Sequence, residues 1–165
     1  QIYLNLKGRE AYGIVEKGEE EQRLKDDIRK KLLQFRDVDN GIFPVREVYK
    51  REDIYHGEFF SEAPDLQIGF RDGYRVSWQT ALGAAPRDIL EINRKKWSGD
   101  HCSFDYREVP GVLFVNKKLN KKEVSIMDIA PTILSLLGAK KDLQMDGRVL
   151  ELKSVSHSER SEESQ

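Results

Sequence analysis

The chain has 165 residues, and its 28 Lys and Arg against 29 Asp and Glu leave a formal net charge of −1. That balance supplies no basic excess for a nucleic-acid polymer, and one cysteine, Cys102, excludes an internal disulfide and a Cys-rich zinc site. No apolar run approaches the roughly 18 residues of a membrane span, and no signal core opens the chain, so no membrane partner and a cytoplasmic location are expected. The opening residues Ile2-Tyr3-Leu4-Asn5-Leu6 read as a strand already under way and without Met. They lead us to expect a fragment of a longer protein, with any N-terminal targeting information outside it.

After the turn Lys7-Gly8-Arg9-Glu10, Gly18 opens a helix predicted to run to about Phe35. Leu24, Ile28, Leu32 and Phe35 recur at helical spacing. Glu19-Glu20-Glu21 suits the positive end of the helix dipole and Lys30-Lys31 its negative end; the acidic run reads as a solvated face. Asp39-Asn40-Gly41 signals a turn. A strand is expected over 44–49, a short helix around Arg51-Glu52-Asp53-Ile54 and a second strand over 66–70. Residues 73–82 fit an extended loop or a hairpin edge, and 86–93 fit one or two helical turns.

Residues 111–116 form the most strand-like run in the chain, apolar on both faces as in the central strand of a covered sheet. A helix follows over 125–137, with Ser125 and Asp128 at capping-box spacing and Gly138 as its stop. Pro131 disfavours a regular helix from Ser125, so the frame is expected to become regular near Asp128 after a looser turn. Ile126, Ile129, Ile133, Leu134 and Leu137 are the expected buried face. From Ser154 onward the chain is rich in Ser and Glu and is expected to be a disordered tail. Strands interleaved with helices argue the α/β class.

The loop Trp97-Ser98-Gly99-Asp100-His101-Cys102 places a histidine on a glycine-bearing loop ahead of the run Val109-Pro110-Gly111-Val112-Leu113-Phe114. Zinc takes three or four protein ligands, so one histidine is at most part of a site, and residue chemistry alone leaves His101 equally readable as a solvated loop side chain. Cys102 has no adjacent Lys or Arg to lower its pKa and reads as a small half-buried side chain. Trp78, Trp97 and Arg75 read as packing before they read as a substrate pocket, and Asp100 as a loop cap before a partner for the histidine. His56 has no spaced partner, and His157 lies in the tail. Gly8, Gly13 and Gly18 lack the spacing and the Gly-Lys-Ser/Thr ending of a phosphate loop.

Three segments in order resemble the C-terminal part of alkaline phosphatase superfamily proteins of the type I phosphodiesterase and nucleotide pyrophosphatase branch. The first is Ile2-Tyr3-Leu4-Asn5-Leu6-Lys7-Gly8-Arg9-Glu10 running on to Gly13-Ile14-Val15. The second is Gly73-Tyr74-Arg75-Val76-Ser77-Trp78-Gln79-Thr80 with Trp97-Ser98-Gly99-Asp100-His101. The third is Asp128-Ile129-Ala130-Pro131-Thr132-Ile133-Leu134-Ser135-Leu136-Leu137-Gly138 with Met145-Asp146-Gly147-Arg148.

The resemblance spans residues 1–152 as one portion of a phosphodiesterase domain, leaving 153–165 as the tail. It implies a partial alkaline-phosphatase-like sheet flanked by helices, with a cap-like insertion between Leu6 and about Trp97. It also implies a hydrolase holding two metal ions, typically zinc, and acting on a phosphate ester or nucleotide-like small molecule. The family's late lone histidine maps onto His101, the one metal ligand assigned here. Its Thr or Ser nucleophile and its other ligands map onto nothing in this chain. A chain on this pattern needs the N-terminal portion of the same enzyme as its partner and is inactive alone. Two other readings stay open: a small non-catalytic α/β module binding through its Trp and Tyr residues, and a degraded gene product.

Overall fold

The computed structural model describes residues 1–77, 79, 83–84, 86–96, 99, 103–120, 123–139 and 145–153. The chain divides into two compact units, Gln1–Pro110 and Gly111–Gln165. Its described elements mix helix with strand, and both named sheets are two-stranded and antiparallel. No helix among the described residues is long and apolar enough to cross a membrane.

In the first unit, helix α1 (Glu19–Gln34) begins where Gly18, at φ 95°, turns the chain and Glu21 reaches back to the Gly18 amide. Strand β1 (Val45–Lys50) runs directly into the single-turn helix α2 (Arg51–Ile54) and pairs with β2 (Leu66–Phe70). The register sets Val48 opposite Ile68 and Lys50 opposite Leu66, with an irregularity between Val45 and Glu47. One face of this pair buries Val45, Val48 and Leu66 beneath Ile28, Leu32 and Leu33 of α1. Leu24 and Ile28 also cover Leu4, Leu6 and Val15. The helical stripe therefore packs as its spacing predicts, except that Leu33 joins it and Phe35 serves as an extended C-cap. Full burial of side chains such as Val48 and Leu66 is worth about 1.5–3 kcal/mol each.

Residues 2–6 do not form the regular strand their pattern suggests. Ile2 exchanges backbone hydrogen bonds with Leu66 at 2.9 and 3.2 Å, and Leu6 makes an isolated bridge with Val15. Between them, side chains take the place of a ladder. The Leu4 amide donates to Asp65 at 2.6 Å, and the Leu4 carbonyl accepts from Arg9 at 2.7 Å. The acidic start of α1 also departs from expectation. Glu21 is buried beside Lys25, whose ammonium sits 3.0 Å from both Glu21 and Glu52, so part of the run is an internal ion-pair network. Residues 86–93 make bends in place of helical turns. Ile89 and Ile92 remain exposed, so no apolar face offsets the entropy of a helix there.

In the second unit, residues 111–116 are neither paired nor buried. Val112 is 77% exposed and Phe114 91% exposed, which overturns their reading as a central strand. A strand needs a hydrogen-bonding neighbour for its backbone; among the described residues of this unit the ladder is the short pair β3 (Lys118–Leu119) and β4 (Leu152–Lys153). The helical segment follows its predicted punctuation. Ser125 caps a 3₁₀ turn, Ile126–Asp128, and helix α3 (Ile129–Leu136) then starts with Pro131 in its first turn, where no amide is missed. Gly138, at φ 71°, follows the helix.

Its buried face matches the predicted one only in part, with Ile129 and Leu134 half-buried. Asp128, Pro131 and Thr132 are buried, while Ile126, Ile133 and Leu137 are exposed. Polar bonds to the segment 147–150 explain the inversion. Asp128 accepts the Arg148 amide at 2.9 Å, and Thr132 donates to the Asp128 carbonyl at 2.6 Å and accepts the Leu150 amide at 2.9 Å. A Cβ at Gly147 would collide with the Met127 carbonyl, so only glycine permits this approach.

Candidate metal-ligand loop

His101 lies outside the described residues, as do Trp78, Trp97, Asp100 and Cys102. The described geometry is that of the residues flanking His101 in sequence, Gly99 and 103–107. Upstream, the Gly99 carbonyl accepts a hydrogen bond from Arg75 at 3.1 Å. Arg75 follows Tyr74, whose hydroxyl donates to Asp37 at 2.7 Å and accepts from Asn40 at 2.8 Å. The turn at 37–41 thus anchors the segment that reaches toward Gly99. This Tyr74 hydroxyl, with the Asp39 amide, holds the Asp37 carboxyl below the usual carboxylate range.

Downstream the tie is stronger. Phe70, the last residue of β2, donates its amide to the Ser103 carbonyl at 2.8 Å and accepts from the Asp105 amide at 3.1 Å. Residues 103–105 therefore lie as a parallel extension along β2, bridged at Phe104. The Val76 amide approaches the Ser103 hydroxyl at 3.4 Å.

The Asp105 carboxylate is buried and densely partnered. It accepts from the Tyr49 hydroxyl at 2.7 Å, from the Arg107 guanidinium at 2.8 and 3.1 Å, and from the Arg107 amide at 3.0 Å. These donors, Arg107 foremost, outweigh burial and pull its pKa down to about 2, while burial and the facing carboxylate push Tyr49 upward. Space for the group comes from Gly69, where a Cβ would stand 2.6 Å from an Asp105 oxygen. Arg107 also lies 3.9 Å from Glu47, which pairs with Arg29 of α1 at 2.9 Å. Charge alternates in this way from the helix through β1 to the stem of the loop.

A second cluster centres on Asp65, which is fully buried. Both of its oxygens accept from Arg9, at 2.6 and 2.9 Å, and Arg51 lies 3.2 Å away. Burial would raise this carboxyl, but the Arg9 fork, the Leu4 amide and Arg51 more than reverse that and lower it. Arg9, Arg51, Tyr3 and Phe60 face a cleft of about 620 Å³. The guanidinium groups facing it are already neutralised by Asp65, Glu10 and Glu21, so their work there is structural.

Neither carboxylate was singled out from the sequence, because Tyr49 lies 56 positions from Asp105 and Arg9 56 positions from Asp65. The available hints were local: Asp105 two residues before an arginine, and Asp65 directly after Pro64 at the head of a strand. Arg75, considered earlier for a substrate pocket, is occupied at Gly99, and His56 is exposed. Among the described residues, no three His, Cys, Asp or Glu side chains gather into a set that could hold a metal ion. Comparisons with protein-family models, curated proteins and solved structures return no match to this chain.

Proposed function

We propose that the chain is the C-terminal portion of a metal-dependent phosphohydrolase of the alkaline phosphatase superfamily, similar to type I phosphodiesterases and nucleotide pyrophosphatases. The carrying observation is the order of three separate motif segments, at residues 2–15, 73–101 and 128–148. Two features of the frame support it. Residues 103–105, which follow the histidine in sequence, are hydrogen-bonded to the end of β2, and the Asp128, Thr132 and Gly147 of the third segment meet in one polar clamp. In this reading the finer architecture is part of an alkaline-phosphatase-like sheet.

His101 would hold one of two metal ions, typically zinc, through a ring nitrogen. Those ions, when bound, would polarise a phosphoryl oxygen and generate the nucleophile. The nucleophile and the other ligands come from an N-terminal portion of the same enzyme, and the substrate is a phosphate ester or nucleotide-like small molecule. Alone, the chain holds one ligand and does not turn over.

The decisive test is the reading frame upstream of Gln1. An in-frame Thr or Ser nucleophile with Asp-His ligands is the expected result. A start codon with its ribosome site near Gln1 would overturn the proposal and favour a small binding module. Calorimetry adds a second check. Zinc is expected to bind the isolated chain weakly or not at all, and nanomolar affinity would overturn the single-ligand assignment.

A further inference from the structure

We infer that Arg46 and Arg71, together with the exposed ring of Tyr106, form a recognition site in the first unit for a small phosphate monoester that carries a planar ring. The site draws on no residue assigned to metal binding. Only the choice of a phosphate ester among oxyanions rests on the reading of the chain as part of a phosphohydrolase.

Arg46 and Arg71 approach the same Glu108 oxygen, at 3.5 and 4.0 Å, so two guanidiniums share one carboxylate. Other guanidinium clusters of this unit are better matched. Arg9 and Arg51 meet Asp65, Glu10 and Glu21, and Arg29 and Arg107 meet Glu47 and Asp105. At 3.5 Å Arg46 makes an ion pair only, and among the described residues its side chain donates no hydrogen bond. Both arginine side chains, 37 and 38% exposed, are more open than Glu108 at 23%, so the group presents its cations outward. An oxyanion there would gain charge-assisted hydrogen bonds from donors that the fold has not spent.

Backbone geometry holds these groups in place. The β1–β2 register skips Arg46, with Val45 opposite Phe70 and Glu47 opposite Gly69, and a bulge of this kind re-aims a side chain. Arg71 donates its amide to the Pro44 carbonyl at 2.9 Å and its Nε to the Phe43 carbonyl at 3.0 Å, which leaves its Nη groups for the site. The Glu108 amide donates to the Asp105 carbonyl at 2.9 Å and closes a turn with Tyr106 and Arg107 at its tip. Tyr106 is 72% exposed, with the Tyr49 ring 6.3 Å and the Arg107 guanidinium 5.7 Å from its ring centre. Those contacts orient the ring and leave most of it open to stack a planar group.

Inorganic phosphate, adenosine monophosphate and adenosine, titrated into the full chain with a metal chelator at constant ionic strength, test the site by NMR and calorimetry. Phosphate is expected to bind saturably, the monophosphate about fivefold or more tighter, and adenosine more weakly than the monophosphate. Arg46→Gln and Arg71→Gln should each weaken phosphate binding about tenfold. Tyr106→Ala should erase the advantage of the monophosphate and leave phosphate binding unchanged. Glu108→Gln removes the competing carboxylate and should tighten phosphate binding about threefold.

That gain separates a binding site from a merely structural ion pair, and its absence would overturn the proposal. Non-saturable phosphate binding, or a monophosphate bound no tighter than phosphate, would overturn it as well. If Arg71→Gln fails to fold, Arg46→Gln, which breaks no hydrogen bond among the described residues, still decides the matter. A failure of the phosphohydrolase reading would show in the upstream frame and leave these titrations untouched, so the two can fail separately.

Discussion

Helix α1 lays Leu24, Ile28 and Leu32 onto buried strands and draws Lys25 and Glu21 into the interior with them, whereas α3 buries Asp128 and Thr132 and leaves Ile133 and Leu137 in solvent. In both regions the buried polar groups are satisfied, Lys25 by two carboxylates and Thr132 by backbone donors and acceptors. The difference lies in the apolar side chains. Those of α1 have a sheet beneath them. Ile133 and Leu136 of α3 and the apolar residues of 111–116 are exposed, although singly they match the core pattern of any helix or strand. Periodicity marks a face as able to be buried; burial itself needs a surface to cover it.

This contrast can be broken or sharpened by substitution. The largest effect is expected at Asp65, whose removal strands Arg9 and Arg51 beside an emptied interior position. Asp65→Ala should cost about 3–5 kcal/mol, read as a fall in the urea midpoint. A loss below about 1 kcal/mol would mean that the cluster is not holding residues 2–9 to β2.

A smaller effect concerns acid. The folded pKa of Asp105, about 2, lies below its unfolded value, so the stability it contributes is present above the unfolded pKa. That contribution is lost as pH falls from about 4 through 2, and is on the order of 2 kcal/mol. Urea unfolding at pH 5 and pH 2 measures it, and Asp105→Asn should flatten this part of the profile. A variant with an unchanged profile would remove Asp105 as the cause.

The smallest effect is expected in the second unit. Ile126→Ser and Leu137→Ser should each change stability by no more than about 0.5 kcal/mol, because both side chains are exposed in this chain. A core-sized loss by calorimetry would show that these residues are covered in solution and that the two regions are alike.

Helix α1, strands β1 and β2, the Ser125 and Asp128 cap, the late regular start near Asp128 and the stop at Gly138 were all legible, because each follows from residues within a few positions of one another. Residues 111–116 were misread for the converse reason. Their run of Val, Leu and Phe states a preference for a strand, yet pairing depends on a neighbour that no local pattern supplies. Glu21 was misread as solvated because its partners include Lys25 one turn away and Arg51 from α2. The segment around His101 was legible as a motif and lies outside the described residues, while the bonds that hold Asp105 were not legible.

By itself, then, the sequence determined the local frame: where the two principal helices start and stop, and where the two principal strands run. Only the tertiary structure decided which charges go inside and which apolar faces stay out. Capping, turn geometry and periodicity act over a few residues, while burying Asp65, Lys25 or Asp105 requires partners brought from distant positions. An unpaired charge is costly to bury, so folding commits these side chains to the interior only where the chain has delivered their counter-charges.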